Sequence, residues 1–140
     1  MDKSLLDTDL FSEILKGVDP LVAARAKFYR AAFGRYTFST VTVMEVVKGF
    51  HRLHRDDRIW SFLANLAAEE ILEFDVSSAE LAGRIYADLE RTGQPIGRAD
   101  PMIAGIALRH GLVLVTGNTA HYERIAGLGY RLRLDNWRLP

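Results

Sequence analysis

A chain of 140 residues, 49% hydrophobic and without cysteine, is long enough to enclose one core and holds neither a disulfide framework nor a thiolate metal site. Its 18 basic residues balance its 18 acidic ones, which argues against a protein that coats nucleic acid indiscriminately. No run approaches the ~18 apolar residues of a membrane-spanning helix, and the apolar stretch in MDKSLLDTDLF is too short for a signal peptide. The expectation is one domain over residues 1–140 in a reducing cytoplasm, with any metal held by oxygen or imidazole ligands.

In chain order, SLLDT (4–8) reads as a buried strand, and Leu10, Phe11, Ile14 and Leu15 recur at helical spacing until Gly17. After Asp19-Pro20, LVAARAKFYRAAF is a second helix stopped at Gly34, and YTFSTVT (36–42) has the β-branched and aromatic content of a strand. Thr42 opens one long helix or two, with Gly49 or the Arg55-Asp56-Asp57 run as the break. ILEFDV (71–76) is a third strand, and Ser77 with Glu80 forms a capping-box pair for the helix AELAGRIYADLERTG. A helix at 101–110, a fourth strand LVLVT, a short helix near 119–126 and a fifth strand YRLRL complete the chain. Strands alternating with helices, several of them apolar throughout, predict an α/β fold: a three-layer α/β/α sandwich around a mainly parallel sheet of about five strands.

Charge is unevenly placed: residues 21–60 carry a net +5 and residues 61–100 a net −5. The basic block holds Lys48, Arg52, Arg55 and Arg58 with His51 and His54. It is either a solvated helix face or a phosphate-binding rim.

The acids carry more information. Right-handed strand–helix–strand crossovers bring every strand C-terminus and every connecting-helix N-terminus to one edge of the sheet, where open α/β sheets keep their sites. Asp7 and Asp9 follow strand one, Glu45 falls in the first turn after strand two, Asp100 opens the helix before strand four, and Asn118 follows strand four. Each has a structural role available as well. Asp100 before Pro101 has the form of an N-cap, Glu45 completes a capping box led by Thr42, Asp9 could cap the first helix, and Asn118 suits a turn. Two carboxylates ~4 Å apart repel by ~4 kcal/mol at an effective dielectric near 20, more than a cap contributes. Convergence of Asp7, Glu45 and Asp100 therefore calls for a cation or raised pKa values, and hard oxygen ligands suit Mg²⁺ or Mn²⁺.

Four blocks, LLDTDLFSEIL, STVTVMEVVKG, PIGRADPMIAGIALRHGLVLVTGNTAHYERIAGL and the closing DNW, resemble in order and spacing the PIN-domain nucleases, above all the VapC toxins of bacterial toxin–antitoxin pairs. The resemblance implies a PIN-like fold and a metal-dependent endoribonuclease whose acids bind Mg²⁺ or Mn²⁺. By position it assigns Asp7, Glu45 and Asp100 as metal-binding and catalytic acids and Asn118 as the fourth catalytic position, where many members carry Asp. Asp9 and Thr116 become auxiliary, and Lys48 and Arg98 candidate RNA contacts. Asp100 is expected both to cap its helix and to bind the metal. The resemblance further implies structured RNA, often a tRNA, as substrate, a homodimer, and a small VapB-like antitoxin whose tail arginine enters between the carboxylates.

Three rival readings stand beside this one. They are a catalytically weak PIN-like module that binds RNA or a protein, a nuclease preferring DNA, and a phosphoacceptor signalling domain. The last needs an acceptor aspartate after the third strand, where Asp75 stands, and a lysine after the fifth, yet no lysine follows Lys48.

Overall fold

The computed structural model covers all 140 residues. Its elements run β1 (Ser4–Leu6), α1 (Thr8–Lys16), α2 (Pro20–Phe33), β2 (Thr37–Ser39), α3 (Thr40–Arg52), α4 (Asp56–Ala64), a 3₁₀ turn (Leu66–Ala68), β3 (Glu70–Leu72), α5 (Val76–Arg91), α6 (Ala99–His110), β4 (Val113–Val115), α7 (Thr119–Gly127) and β5 (Leu134–Asp135). Every ladder is parallel: β1 pairs with β4, β4 with β5, and β2 with β3. β1 also runs alongside β2 without closing a ladder, so the strands lie in the order β3-β2-β1-β4-β5. The predicted five-stranded parallel α/β architecture is what the chain adopts.

β1 and β2 are shorter than their hydrophobic runs because side chains at their ends take over the backbone, and the fifth strand, expected at YRLRL (130–134), forms instead at Leu134–Asp135. Asp7, Ser39 and Asp75 each keep an extended backbone and accept a hydrogen bond from an N–H of the next helix, respectively Leu10, Thr42 and Ser78. A side chain that caps a helix ends the strand before it. Three sequence expectations are corrected accordingly. Asp7, not Asp9, caps α1; Ser39, not Thr42, caps α3; and Asp75, not Ser77, caps α5. The expected long helix breaks at Leu53–Arg55, where His54 adopts a left-handed φ of 55°, while Gly49 stays inside α3.

Alternation along the sheet builds two cores. Leu5 and Leu114 are paired neighbours facing the α5–α6 layer with Ile85, Ile103 and Ile106. Leu6 and Val115, one residue on, face the opposite layer with Leu10, Phe11, Tyr29, Phe38 and Trp137. The strand period of two thus makes one sheet feed both layers. On the first side α5 and α6 approach so closely that a Cβ at Gly105 would lie 2.7 Å from the Ser78 carbonyl oxygen. On the second, Trp137 lies with its ring centroid 5.6 Å from that of Tyr29 and is almost fully buried.

Candidate active site

Strand order reverses at β1 and β4, whose carboxyl ends open a crevice between the connecting helices. Asp7 stands at that point. Its N–H donates to the Val115 carbonyl at 3.0 Å, carrying the β1–β4 ladder one residue past the strand. Its Oδ1 accepts from the Leu10 N–H at 3.1 Å, and its Oδ2 accepts from the Thr116 hydroxyl. Thr116 is held by its own N–H on the Asp135 carbonyl, and its Oγ1 accepts the Asn118 N–H at 2.9 Å. The hydroxyl proton therefore has only Asp7 to serve, which fixes the carboxylate plane.

Asp7 is only 4% exposed. Burial, together with the carboxylate of Asp9 beside it, pushes its pKa up to about 9, against the hydrogen bonds from Thr116 and Leu10. Asp9 lies in the first turn of α1, one oxygen 3.5 Å from the Arg138 guanidinium, while its Oδ1 is buried and meets no donor.

Glu45 lies in the second turn of α3, and its Oε1 accepts from the Thr8 hydroxyl. Thr8 in turn lies 3.0 Å from the Thr42 hydroxyl, and with the Thr8 proton given to Glu45, Thr42 is the donor between them. Asp100 does not cap its helix: α6 begins at Ala99, with Arg98 in the cap position. Both of its oxygens instead point to α7, Oδ2 to His121 Nδ1 at 3.0 Å and Oδ1 to the Tyr122 hydroxyl at 3.2 Å. A helix begun two residues early leaves the carboxylate free of the backbone, so Asp100 does not take the capping half of the dual role expected of it. Burial first, then the nearby Asp7 and Asp100 carboxylates, raise the Tyr122 pKa well above the ordinary phenol value, so the phenol keeps its proton and donates it to Asp100. The Asn118 amide approaches His121 Nδ1 at 2.9 Å. A ring nitrogen that donates to Asp100 cannot also accept from Asn118, so the network favours the amide oxygen toward the ring.

These groups share one cavity of about 200 Å³, lined by Asp7, Thr8, Asp9, Glu45, Asp100, Ile103 and Asn118. The four residues expected to converge from distant parts of the chain do so, with Asp9 beside them and Thr116 behind Asp7. Lys48 and Arg98 do not line it. Lys48 is exposed on α3, and Arg98 borders a separate hollow with Phe74, Tyr86 and Met102. Within the basic block Arg55 is engaged by Asp57 through two hydrogen bonds. Asp75 caps α5 and lies outside the cavity, which removes the aspartate a phosphoacceptor reading requires.

The donor set suits a hard, partly hydrated cation. Four carboxylates and an amide surround the cavity without a basic side chain among its lining residues, and one buried carboxylate oxygen lacks any partner. No three acidic or imidazole groups close tightly enough to enclose an ion by themselves, as suits an ion that keeps several waters. Sequence reasoning missed Thr8, His121, Tyr122 and Arg138. His121 and Tyr122 follow Asn118 by three and four residues, the spacing that puts helical side chains on one face, and that signal was available. Arg138 follows the last strand and had none.

The model of the PIN domain matches residues 4–128. The tRNA(fMet)-specific endonuclease VapC of Shigella flexneri is 33% identical over 138 residues, covering 98% of this chain and 99% of that protein. Ribonuclease VapC2 of Haemophilus influenzae is 30% identical over 141 residues, covering 98% and 99%. Among solved structures, DNA-bound VapBC from Salmonella typhimurium superposes with a TM-score of 0.81 at 32% identity, covering 98% of this chain and 99% of that one.

Proposed function

The chain belongs to the PIN-domain family, and we propose that it is a metal-dependent endoribonuclease, the toxin of a toxin–antitoxin pair, that hydrolyses phosphodiester bonds of a structured RNA such as a tRNA. The observation that carries this reading is the convergence of Asp7, Asp9, Glu45, Asp100 and Asn118 in one cavity at the carboxyl edge of the sheet.

In this reading Asp7 and Asp100 hold Mg²⁺ or Mn²⁺, and Glu45 binds it directly or through water. When bound, such an ion polarises a non-bridging phosphate oxygen and lowers the pKa of its water. The chain's own residues do the rest. Thr116 and the Leu10 N–H hold the Asp7 carboxylate in one orientation. Tyr122 and His121 do the same for Asp100, and such outer partners set the precision of a metal site. Glu45, held by the Thr8 hydroxyl, would orient the attacking water, and Asn118 would supply an oxygen without adding charge. The cavity carries no cation of its own on its lining, so a substrate phosphate is accepted only with the metal that neutralises it. An antitoxin arginine, planar and permanently charged, fits the same acids and would replace that cation. The likeness to VapBC complexes supports such a partner.

The substrate class is tested by inducing the chain in bacterial cells and mapping RNA ends. Growth arrest with fragments ending at one position of one tRNA is expected. Arrest with every tRNA intact would overturn the tRNA assignment, and unimpeded growth with active protein present would overturn the toxin reading.

A further inference from the structure

We propose that Arg138 is a positioning residue for the acidic cavity, delivered by the C-terminal segment and acting through Asp9. The inference rests on the reading of that cavity as the hydrolytic site, and it concerns a residue that neither lines the cavity nor lies in the span matched by the family model.

The segment after β5 is built to aim this side chain. The Asn136 Oδ1 accepts the Arg138 N–H at 2.9 Å and turns the chain. Trp137 is buried in the core against Tyr29 and anchors the turn. Arg138 is thereby directed at the start of α1. Its Nε donates to the Glu13 carboxylate at 2.9 Å, and its Nη2 lies 3.5 Å from Asp9 Oδ2. Its third contact is steric. A Cβ on Gly117 would stand 1.8 Å from Nη1 and 2.1 Å from Cζ, so the guanidinium occupies the space that any side chain at 117 would take. Gly117 is the link between Thr116, which holds Asp7, and Asn118, which lines the cavity. One planar group therefore touches both segments that shape the site.

The consequence is a division of labour within Asp9. Arg138 engages Oδ2, while Oδ1 stays buried and without a donor beside Asp7. The positive charge tempers the repulsion among Asp7, Asp9 and Glu13, and it leaves the free oxygen for an incoming cation. A lysine cannot reproduce this, because a single ammonium lacks the forked donors that serve Glu13 and Asp9 together. Loss of partners of this kind commonly weakens metal affinity by about 10- to 100-fold.

Isothermal titration of the intact, purified chain with Mg²⁺ and with Mn²⁺ tests this, with urea unfolding in EDTA run alongside to confirm folding. Arg138→Met, which keeps an apolar stem and removes the charge, is expected to weaken binding about 10-fold, and Arg138→Lys is expected to recover only part of that loss. Gly117→Ala, which displaces the guanidinium without altering any charge, is expected to weaken binding comparably and to add nothing to Arg138→Met. Asp9→Asn combined with Arg138→Met is expected to match Asp9→Asn alone. Unchanged affinity in folded Arg138→Met, or strictly additive effects in either pair, overturns the role of Arg138. Those outcomes leave the hydrolytic reading intact, whereas a wild-type chain that binds neither ion overturns both.

Discussion

Replacing Asp7 by Asn should make the metal-free protein more stable, although Asp7 is the acid most deeply built into the site. In the fold its carboxyl has a pKa near 9, against 3.8 as the ordinary value, chiefly through burial and secondly through Asp9. Between those values the native state keeps a proton that the unfolded chain releases, so stability falls as pH rises. Each pH unit above 3.8 costs about 1.4 kcal/mol, or on the order of 2 kcal/mol by pH 5 and 4 kcal/mol by pH 7. Asparagine carries no such cost. Its Oδ1 still accepts the Leu10 N–H, and its amide N–H₂ takes the place of the oxygen that accepts from the Thr116 hydroxyl, a loss of about 1 kcal/mol that is smaller than the cost removed. Urea unfolding in EDTA at pH 5, 6, 7 and 8 should show the variant more stable throughout, with the gap widening with pH. Added Mg²⁺ should narrow it by stabilising the wild type alone. A variant less stable at pH 7, or a gap independent of pH, would refute the reasoning.

Two other substitutions probe the frame around the site. Gly105→Ala pushes a methyl to 2.7 Å from the Ser78 carbonyl where α5 and α6 touch, so unfolding free energy should fall by about 1–3 kcal/mol; an unchanged urea midpoint would mean the helices separate freely. Tyr122→Phe removes the buried donor to Asp100. It should cost about 1 kcal/mol of stability and weaken Mn²⁺ affinity by about 10-fold, and affinity equal to wild type would show that Tyr122 merely packs.

The architecture was legible because its signals are local. Apolar strand runs, glycines at helix ends and alternating helices leave few arrangements, and Leu5 with Leu114 against Leu6 with Val115 follow directly from the strand period. The acids were legible for a topological reason: in a parallel sheet, residues just after strands share an edge whatever their separation in sequence. What failed was the assignment of caps. Asp100-Pro101 has the composition of a cap and first turn, yet α6 starts at Ala99 because the carboxylate is claimed by His121 and Tyr122. Propensity ranks the residue types suited to a cap, but tertiary partners decide which carboxylate serves. Lys48 and Arg98, expected to meet neighbouring phosphates, stand outside the cavity lining for a related reason. Proximity to Glu45 and Asp100 in sequence says nothing about which side of the helix faces the cavity. Arg138 was illegible because its place depends on Trp137 finding a core pocket near Tyr29, a contact more than a hundred residues away in sequence.

The central claim, that the acidic cavity cuts RNA with the help of a divalent ion, is tested most directly by incubating the purified chain with bacterial RNA in Mg²⁺ or Mn²⁺. Parallel reactions contain EDTA, Asp100→Asn, and a 2′-deoxy copy of the preferred site. Discrete RNA fragments that disappear in EDTA and in Asp100→Asn, with the deoxy copy uncut, are the predicted result. Cleavage that persists in EDTA or in folded Asp100→Asn would contradict the account, as would intact RNA in the presence of folded, metal-loaded protein.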